Sequence, residues 1–167
     1  MKRIVFAGGC FWGVEAYFKM LKGVKSTSVG YTNGNMENPR YEDLKSGRAT
    51  HSEAVEIYYD EEVLSLEKLL IHLFRIIDPV SLNRQGNDIG IQYRTGVYYK
   101  LQEDRKVIED FISKKNREHK GRIAVEVLEE EGFFPAEEYH QDYLDKNPGG
   151  YCHVNLNLLR ADEKKDL

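Results

Sequence analysis

Cys10 is the residue with the clearest potential for chemistry, because it stands in the segment Gly-Gly-Cys-Phe-Trp-Gly at residues 8–13. Residues 4–7 are apolar and predict a strand, and apolar side chains recur at helical spacing from residue 14 to residue 21. The thiol should therefore lie at a helix N-terminus, where unpaired N–H groups and the helix dipole favour the reactive thiolate. Cys10 is our candidate nucleophile, although a lone cysteine is more often a small buried hydrophobic residue.

Phe11 and Trp12 follow the cysteine directly and cannot both face the core from one helical turn. At least one of these aromatic rings should remain close to the sulfur. Such a ring suits an apolar ligand group, and the alternative is ordinary core packing.

Composition excludes several classes of protein. A chain of 167 residues fits one domain, expected over residues 1–167, with enough surface to bury a sizeable core. The net charge of −4, with both signs interspersed, predicts neither a nucleic-acid surface nor a trap for acidic substrates. The apolar run at residues 4–7 is too short for a signal peptide and nothing approaches a membrane-spanning length, so we expect a cytoplasmic protein. We also expect a monomer.

The two cysteines, Cys10 and Cys152, are too few for a disulfide framework and lack the spacing of a zinc site. We expect no metal and no cofactor. In the cytosol any disulfide between these cysteines should be transient and catalytic.

Periodicity predicts an α+β fold with a two-layer ferredoxin-like core, a mixed sheet with helices chiefly on one face, and a long loop-rich C-terminal segment. The expected strands after the first cover residues 24–32, 51–60, 93–99 and 123–128. The first helix should stop at Gly23, and the expected later helices cover residues 65–77, 103–119 and 137–146. In helix 103–119, the inward side chains should be Val107, Ile108, Phe111 and Ile112. Residues 33–50 and 81–92 are expected to be functional loops.

Four segments together resemble the peptide methionine sulfoxide reductase A family. They are residues 8–13, His-Ser-Glu-Ala-Val at 51–55, Asp-Ile-Gly-Ile-Gln-Tyr-Arg at 88–94, and Tyr-His-Gln-Asp-Tyr-Leu at 139–144 followed by Gly-Tyr-Cys at 150–152. The resemblance covers nearly the whole chain in the family's order. It implies reduction of free and protein-bound methionine S-sulfoxide, with selectivity for the S epimer.

The resemblance implies a role for each motif residue near the nucleophile. Cys10 is similar to the attacking thiolate, and Phe11 and Trp12 to the walls of the pocket for the substrate S-methyl group. Glu53 would be partly buried and held protonated by desolvation, ready to protonate the sulfoxide oxygen, whereas an acid on an alternating strand normally faces solvent. His51, two residues earlier, could tune it.

Other matched residues complete the implied site. Tyr41 and Tyr93 match two hydroxyl donors to the same oxygen, although a tyrosine is usually amphipathic surface. Asp88 matches a position that binds substrate or ordered water. His140 and Tyr143, three residues apart, should share one face of a short helix beside the site, with a structural role more than a catalytic one.

Cys152 resembles the resolving cysteine, which would join Cys10 in a disulfide once the sulfoxide has been reduced. It follows Asn-Pro-Gly-Gly-Tyr at residues 147–151, a segment expected to be mobile. Many relatives carry a third cysteine in a glycine-rich tail, but this chain continues His-Val-Asn-Leu-Asn-Leu. The disulfide must then be exposed directly to the reductant, which the resemblance implies is thioredoxin, with glutaredoxin or a small thiol as alternatives.

Two competing functions are open from the residues alone. Cys10 could serve a hydrolase or acyltransferase, with His51 or His140 as base and no need for Cys152. Alternatively, the aromatic residues could form a binding cage for a peptide, in which case binding would survive Cys10→Ser.

Overall fold

The computed structural model describes residues 1–166, and Leu167, the last residue of the expected domain, lies outside the described residues. The helices are α1 (Phe11–Lys19), α2 (Tyr41–Lys45), α3 (Leu66–Ile76), α4 (Gln102–Glu118) and α5 (Tyr143–Lys146). The strands are β1 (Lys2–Gly8), β2 (Val24–Thr32), β3 (Ser52–Tyr59), β4 (Arg84–Gln85), β5 (Asp88–Ile89), β6 (Thr95–Tyr99), β7 (Glu126–Glu129) and β8 (Phe133–Pro135). None of the helices within residues 1–166 has the length and apolar character needed to cross a membrane.

The larger sheet has the strand order β7-β6-β1-β3-β2-β8. All of its pairings are antiparallel except that of β6 with β7, which confirms the predicted mixed sheet. The elements β1, α1, β2, β3, α3 and β6 form a β-α-β-β-α-β unit whose strands lie in the order β6-β1-β3-β2. This arrangement is compatible with the expected ferredoxin-like core.

The helices α1, α3 and α4 bury their apolar faces in one large core against the sheet. In α3 this face includes the fully buried Leu69, Leu70 and Leu73. Ser65 caps this helix by accepting a hydrogen bond from the Lys68 backbone N–H. The opposite face of the sheet has a smaller cluster centred on Tyr98, so the helices pack chiefly on one face, as predicted.

Fewer side chains of α4 face the core than expected. Ile108 and Phe111 are buried, and Ile112 packs against the core, but Val107 is 38% exposed. Val107 precedes Ile108 by one position, which rotates its side chain by about 100° around the helix. The prediction that Val107 faces inward is therefore wrong.

The predicted helix over residues 137–146 is wrong as a single helix. The chain forms a 3-10 turn at Glu138–His140 and then α5, separated by Asp142 in the left-handed conformation at φ 50°. Buried Glu15 accepts the Asp142 backbone N–H at 2.8 Å, and the Gln141 side chain bonds both backbone groups of Val29. These tertiary hydrogen bonds hold the chain out of a continuous helix.

Both predicted loops contain short regular elements. Residues 33–50 include α2, and residues 81–92 include the β4–β5 hairpin and the start of a 3-10 turn at Ile91–Tyr93. The sequence prediction also lacked β8, which pairs with the edge of β2. After Lys146 the described chain is irregular apart from 3-10 turns, which confirms the loop-rich C-terminal segment.

Candidate active site

Cys10 lies between β1 and α1, at the N-cap position of the helix. Gly9 before it has φ +89°, a conformation that glycine adopts without strain. A Cβ atom at Gly9 would also lie 2.8 Å from Gln85 Cβ and 2.8 Å from His153 Nε2. The glycine thus lets two other segments of the chain approach the cysteine loop closely.

The expectation of a lowered Cys10 pKa is wrong for the resting protein. Burial raises the pKa of the Cys10 thiol well above its usual range, and negative charge on Glu53 raises it further whenever that carboxyl is ionised. A hydrogen bond from the Trp12 backbone N–H at the helix N-terminus acts in the opposite direction but is outweighed. Cys10 is therefore a neutral thiol at rest, and it must lose its proton to a nearby group to become nucleophilic.

Glu53 lies on β3 with only 2% of its surface exposed. Its Oε1 accepts the backbone N–H of Phe11, the first residue of α1, at 3.2 Å. Burial raises the pKa of Glu53 to about 8, the Phe11 bond lowers it, and the Asp88 charge raises it. Glu53 consequently holds a proton at neutral pH beside the Cys10 loop.

This protonation makes the stability of the protein depend on pH. Between its ordinary pKa of 4.5 and about 8, the folded protein keeps the Glu53 proton while the unfolded chain loses it. The free energy of unfolding should therefore fall as pH rises through this window, by at most about 1.4 kcal/mol per pH unit from this group. Glu53→Gln removes the titration and keeps an acceptor for the Phe11 N–H.

We expect Glu53→Gln to be more stable than the parent protein above pH 4.5, by a margin that widens up to about pH 8 and is constant beyond it. Urea unfolding at a series of pH values measures this margin. A margin that stays the same across the series would mean that Glu53 is not held protonated.

Tyr41 and Tyr93 approach the same point from separate segments, at the start of α2 and in the 3-10 turn before β6. Burial is the main reason that the pKa of each phenol is raised, and the charges of Glu53 and Cys10 raise both further. Both hydroxyls therefore remain protonated and can donate hydrogen bonds. The structure brings these two side chains together with Cys10 and Glu53.

Trp12 is the centre of an aromatic cluster above the cysteine loop. Its ring stacks on Tyr143 at a centroid distance of 3.7 Å, and its Nε1 donates to His140 Nδ1 at 3.0 Å. Phe11 is 1% exposed and lies beneath, 5.2 Å from the His140 ring. Trp12 therefore presents the accessible apolar surface, and Phe11 supports it from the core.

His140 has no free basic nitrogen. Because Nδ1 accepts the Trp12 N–H, the proton of the neutral ring is on Nε2, which is buried without a hydrogen-bond partner in the described part of the chain. Burial lowers the pKa of His140, so the ring is neutral. His140 and Tyr143 do not share one helix, but both contact Trp12.

Asp88, on the β4–β5 hairpin, accepts a hydrogen bond from the Tyr151 hydroxyl at 2.9 Å. Its charge raises the pKa values of Cys10 and Glu53. The hairpin thus lies over the site and connects it to the segment that carries Cys152.

Cys152 and Cys10 are both free thiols. The half-buried Cys152 Sγ donates to the Val154 carbonyl at 3.2 Å, and a Cβ atom at Gly13 would lie 3.1 Å from that sulfur. Gly13 is three residues after Cys10, about one turn along α1. The structure therefore places the second cysteine against the same helix turn as the first.

Sequence reasoning did not select two further residues of the site. Glu137 accepts the Tyr31 hydroxyl at 2.9 Å and the Tyr41 backbone N–H at 3.0 Å, which fixes the start of α2. His153 bonds the Gly8 carbonyl. Only the direct adjacency of His153 to Cys152 could have identified it, and no sequence signal distinguishes Glu137 from its acidic neighbours.

His51, which was expected to tune Glu53, is fully buried. Its Nε2 lies 2.9 Å from the Met36 carbonyl, and its ring contacts Phe134 edge to face. Its Nδ1 is buried without a hydrogen-bond partner among residues 1–166.

The fold and site define a class of α+β thiol protein, with a buried cysteine beside a protonated acid and a second free cysteine one helix turn away. A family model described as peptide methionine sulfoxide reductase matches residues 2–166. The chain therefore belongs to the peptide methionine sulfoxide reductase family.

Individual relatives agree with this assignment. Peptide methionine sulfoxide reductase MsrA of Clostridium acetobutylicum is 52% identical over 160 residues, 96% of this chain and 99% of the relative. The protein of the same name from Mycoplasma genitalium is 51% identical over 157 residues, 94% of this chain and all of the relative.

Solved structures show the same fold. Reduced Mxr1 from Saccharomyces cerevisiae is 35% identical with a TM-score of 0.86, and the match covers 92% of this chain and 91% of that one. Methionine sulfoxide reductase A of Corynebacterium diphtheriae is 35% identical with a TM-score of 0.79, covering 90% and 77%. Mxr1 is also known in complex with Trx2, in a structure that is 24% identical with a TM-score of 0.60.

Proposed function

We propose that this protein reduces methionine S-sulfoxide, free and in proteins, to methionine, and so repairs oxidised proteins under oxidative stress. One observation carries the proposal: the buried Cys10 thiol is next to the Glu53 carboxyl, which stays protonated up to about pH 8. Sulfoxide reduction needs a nucleophile for sulfur and an acid for the oxygen, and this pair supplies both.

The first step transfers the sulfoxide oxygen to Cys10. Glu53 gives its proton to the oxygen, which makes the substrate sulfur electrophilic, and the resulting carboxylate accepts the Cys10 thiol proton as the thiol sulfur attacks. The hydroxyl then moves from the substrate sulfur to the Cys10 sulfur as the bond between the two sulfurs breaks, which releases methionine and leaves Cys10 as a sulfenic acid. Tyr41 and Tyr93 donate hydrogen bonds to the oxygen as its negative charge develops.

The aromatic cluster binds the substrate next to these groups. Trp12 offers an apolar surface held in place by Tyr143 stacking and by the His140 hydrogen bond, and this surface suits the substrate S-methyl group. Asp88 helps to bind substrate or an ordered water molecule.

The second step forms a disulfide. The Cys152 sulfur attacks the Cys10 sulfenic acid, and the oxygen leaves as water. A cavity of about 1120 Å³ opens beside Cys152, with Ala16, Met20, Leu144 and Leu156 among its lining residues. This cavity gives a protein reductant direct access to the disulfide without a third cysteine.

Thioredoxin is the reductant that we propose, in keeping with the complex of Mxr1 with Trx2. Thiol exchange regenerates both cysteines as the reductant takes up the disulfide. Because this cycle requires a reducing pool of thiols, we further propose a cytoplasmic location.

The hydrolase alternative has no observation in its favour. This alternative uses His140 or His51 as the base, but His140 Nδ1 is occupied by the Trp12 N–H, and the contacts of the His51 ring are with Met36 and Phe134. A purely binding role would leave unexplained the protonated acid buried beside a thiol.

An assay with separated sulfoxide epimers tests the proposal. With dithiothreitol as reductant, we expect the protein to consume the S epimer of N-protected methionine sulfoxide and to leave the R epimer, with chromatography of the product as the measurement. Cys10→Ser should consume neither. Equal consumption of both epimers, or none of either, would contradict the proposed function.

A further inference from the structure

His153 follows the resolving cysteine directly, and its ring is packed into the cysteine loop. Its Nε2 lies 2.8 Å from the Gly8 carbonyl oxygen. Because a carbonyl oxygen can only accept, Nε2 carries the proton of the neutral ring. Nδ1 is therefore unprotonated, and it is buried without a hydrogen-bond partner among residues 1–166.

The free Nδ1 lies close to the Cys152 thiol. A Cβ atom at Gly13 would be 3.3 Å from His153 Nδ1 and 3.1 Å from Cys152 Sγ. Both atoms thus border one small space against the first turn of α1, which is also the turn that begins after Cys10. A bulkier residue at position 13 would fill this space.

The Cys152 sulfur needs to lose a proton before it can react. At rest its thiol donates to the Val154 carbonyl, which can stabilise only the protonated form. A thiolate, and not a thiol, attacks the sulfur of a sulfenic acid. A nearby base must therefore accept this proton during disulfide formation.

We propose that His153 Nδ1 is the general base for the resolving step. This inference rests on the proposed function and assigns the proton transfer in its second half. Nδ1 accepts the Cys152 proton, the thiolate sulfur forms a bond to Cys10 sulfur, and the bond between that sulfur and the hydroxyl oxygen breaks. The proton then passes from the imidazolium to the leaving hydroxide, so that the products are the disulfide, water and neutral His153.

The surroundings of His153 keep its ring in the basic form. Burial lowers its pKa, while the Gly8 bond and the Asp88 charge act against that effect. Among residues 1–166, the groups found near the ring are the Cys10 loop, Gln85 and Asp88 of the hairpin, the Cys152 thiol and Gly13 of α1. Asp88 is the one carboxylate among them, and it can stabilise the transient imidazolium.

The variant His153→Gln separates this role from simple positioning. A glutamine amide can still donate to the Gly8 carbonyl but has no basic nitrogen. In single-turnover experiments without reductant, acid-quenched samples report methionine formation, and thiol alkylation reports disulfide formation. We expect normal methionine formation, which also shows that the variant is folded, and disulfide formation slowed by about 10-fold or more.

The pH profile and chemical rescue provide independent readouts. In the parent protein, disulfide formation should already have levelled off at pH 6.5, because burial lowers the pKa of His153 below that ordinary value. In His153→Gln it should keep rising with pH because solvent must remove the Cys152 proton. Imidazole added to His153→Ala should restore part of the rate. His119→Gln, the same change on a distant histidine at the end of α4, is the matched control and should behave like the parent.

Disulfide formation at the parental rate and with the parental pH profile in His153→Gln would overturn the proposal, since the amide would then suffice. Absence of rescue by imidazole would count against it as well. Failure of the parent protein to form methionine at all would instead contradict the proposed function, so the two failures are distinguishable.

Discussion

Cys152→Ser should stop repeated turnover with thioredoxin while leaving the first turnover intact. Cys152 is a free thiol against the α1 turn that follows Cys10, and the first step does not use it. We expect one equivalent of methionine per protein at the parental rate, followed by a fall in thioredoxin-dependent turnover of about 100-fold or more, because the disulfide that thioredoxin reduces cannot form. A quenched-flow assay measures the first turnover, and a steady-state assay measures the thioredoxin-dependent turnover.

The same variant should accumulate the sulfenic acid on Cys10. A cyclic 1,3-dione reacts with sulfenic acids, so intact mass after its addition should show one adduct, located at Cys10 by peptide mapping. The parent protein, treated in the same way, should show little adduct because Cys152 reacts first. Loss of the first equivalent of methionine in Cys152→Ser would mean that Cys152 has been misassigned.

Glu53→Gln should reduce the rate of methionine formation by about 100-fold or more, the usual effect of removing a general acid. The amide is similar in shape and can still accept the Phe11 N–H, but it cannot protonate the sulfoxide oxygen. Single-turnover kinetics at saturating substrate isolate this step from disulfide formation and reductant binding.

A control variant and a pH profile test the role of Glu53 further. Glu67→Gln, the same change at an exposed position of α3, should leave the rate unchanged. In the parent protein, kcat/KM should fall as pH rises through about 8, where free Glu53 loses its proton, and Glu53→Gln should lack this decline. A near-parental rate for Glu53→Gln would remove Glu53 from the reaction.

The sequence predicted elements well where apolar side chains alone decide the structure. The strand over residues 24–32 has the observed bounds, and α3 differs from its prediction by a residue at each end, because its leucine stripe and Ser65 cap are local signals. The helix over 137–146 failed because Glu15 and Val29, more than one hundred residues earlier, bond the chain at Asp142 and Gln141. No local pattern encodes such contacts.

The site, like the fold, could be predicted from the sequence only in part. The motifs identified residues that lie around Cys10 in the structure. They could not show which electrostatic effect on the pKa of the Cys10 thiol is the largest. The helix N-terminus is present as expected, yet burial and the nearby Glu53 raise the pKa of Cys10. Proton transfer between Cys10 and Glu53 depends on neighbours that are close in space but distant in sequence. The tautomers of His140 and His153 depend on such neighbours as well.

The most direct test of the two-cysteine mechanism is a single turnover without reductant. The reduced protein is mixed with excess methionine S-sulfoxide, and methionine, free thiols and intact mass are measured on the same sample. We expect one equivalent of methionine, loss of both free thiols and a mass decrease of about 2 Da from the new disulfide. Methionine formed with both thiols intact, or no methionine at all, would contradict the mechanism.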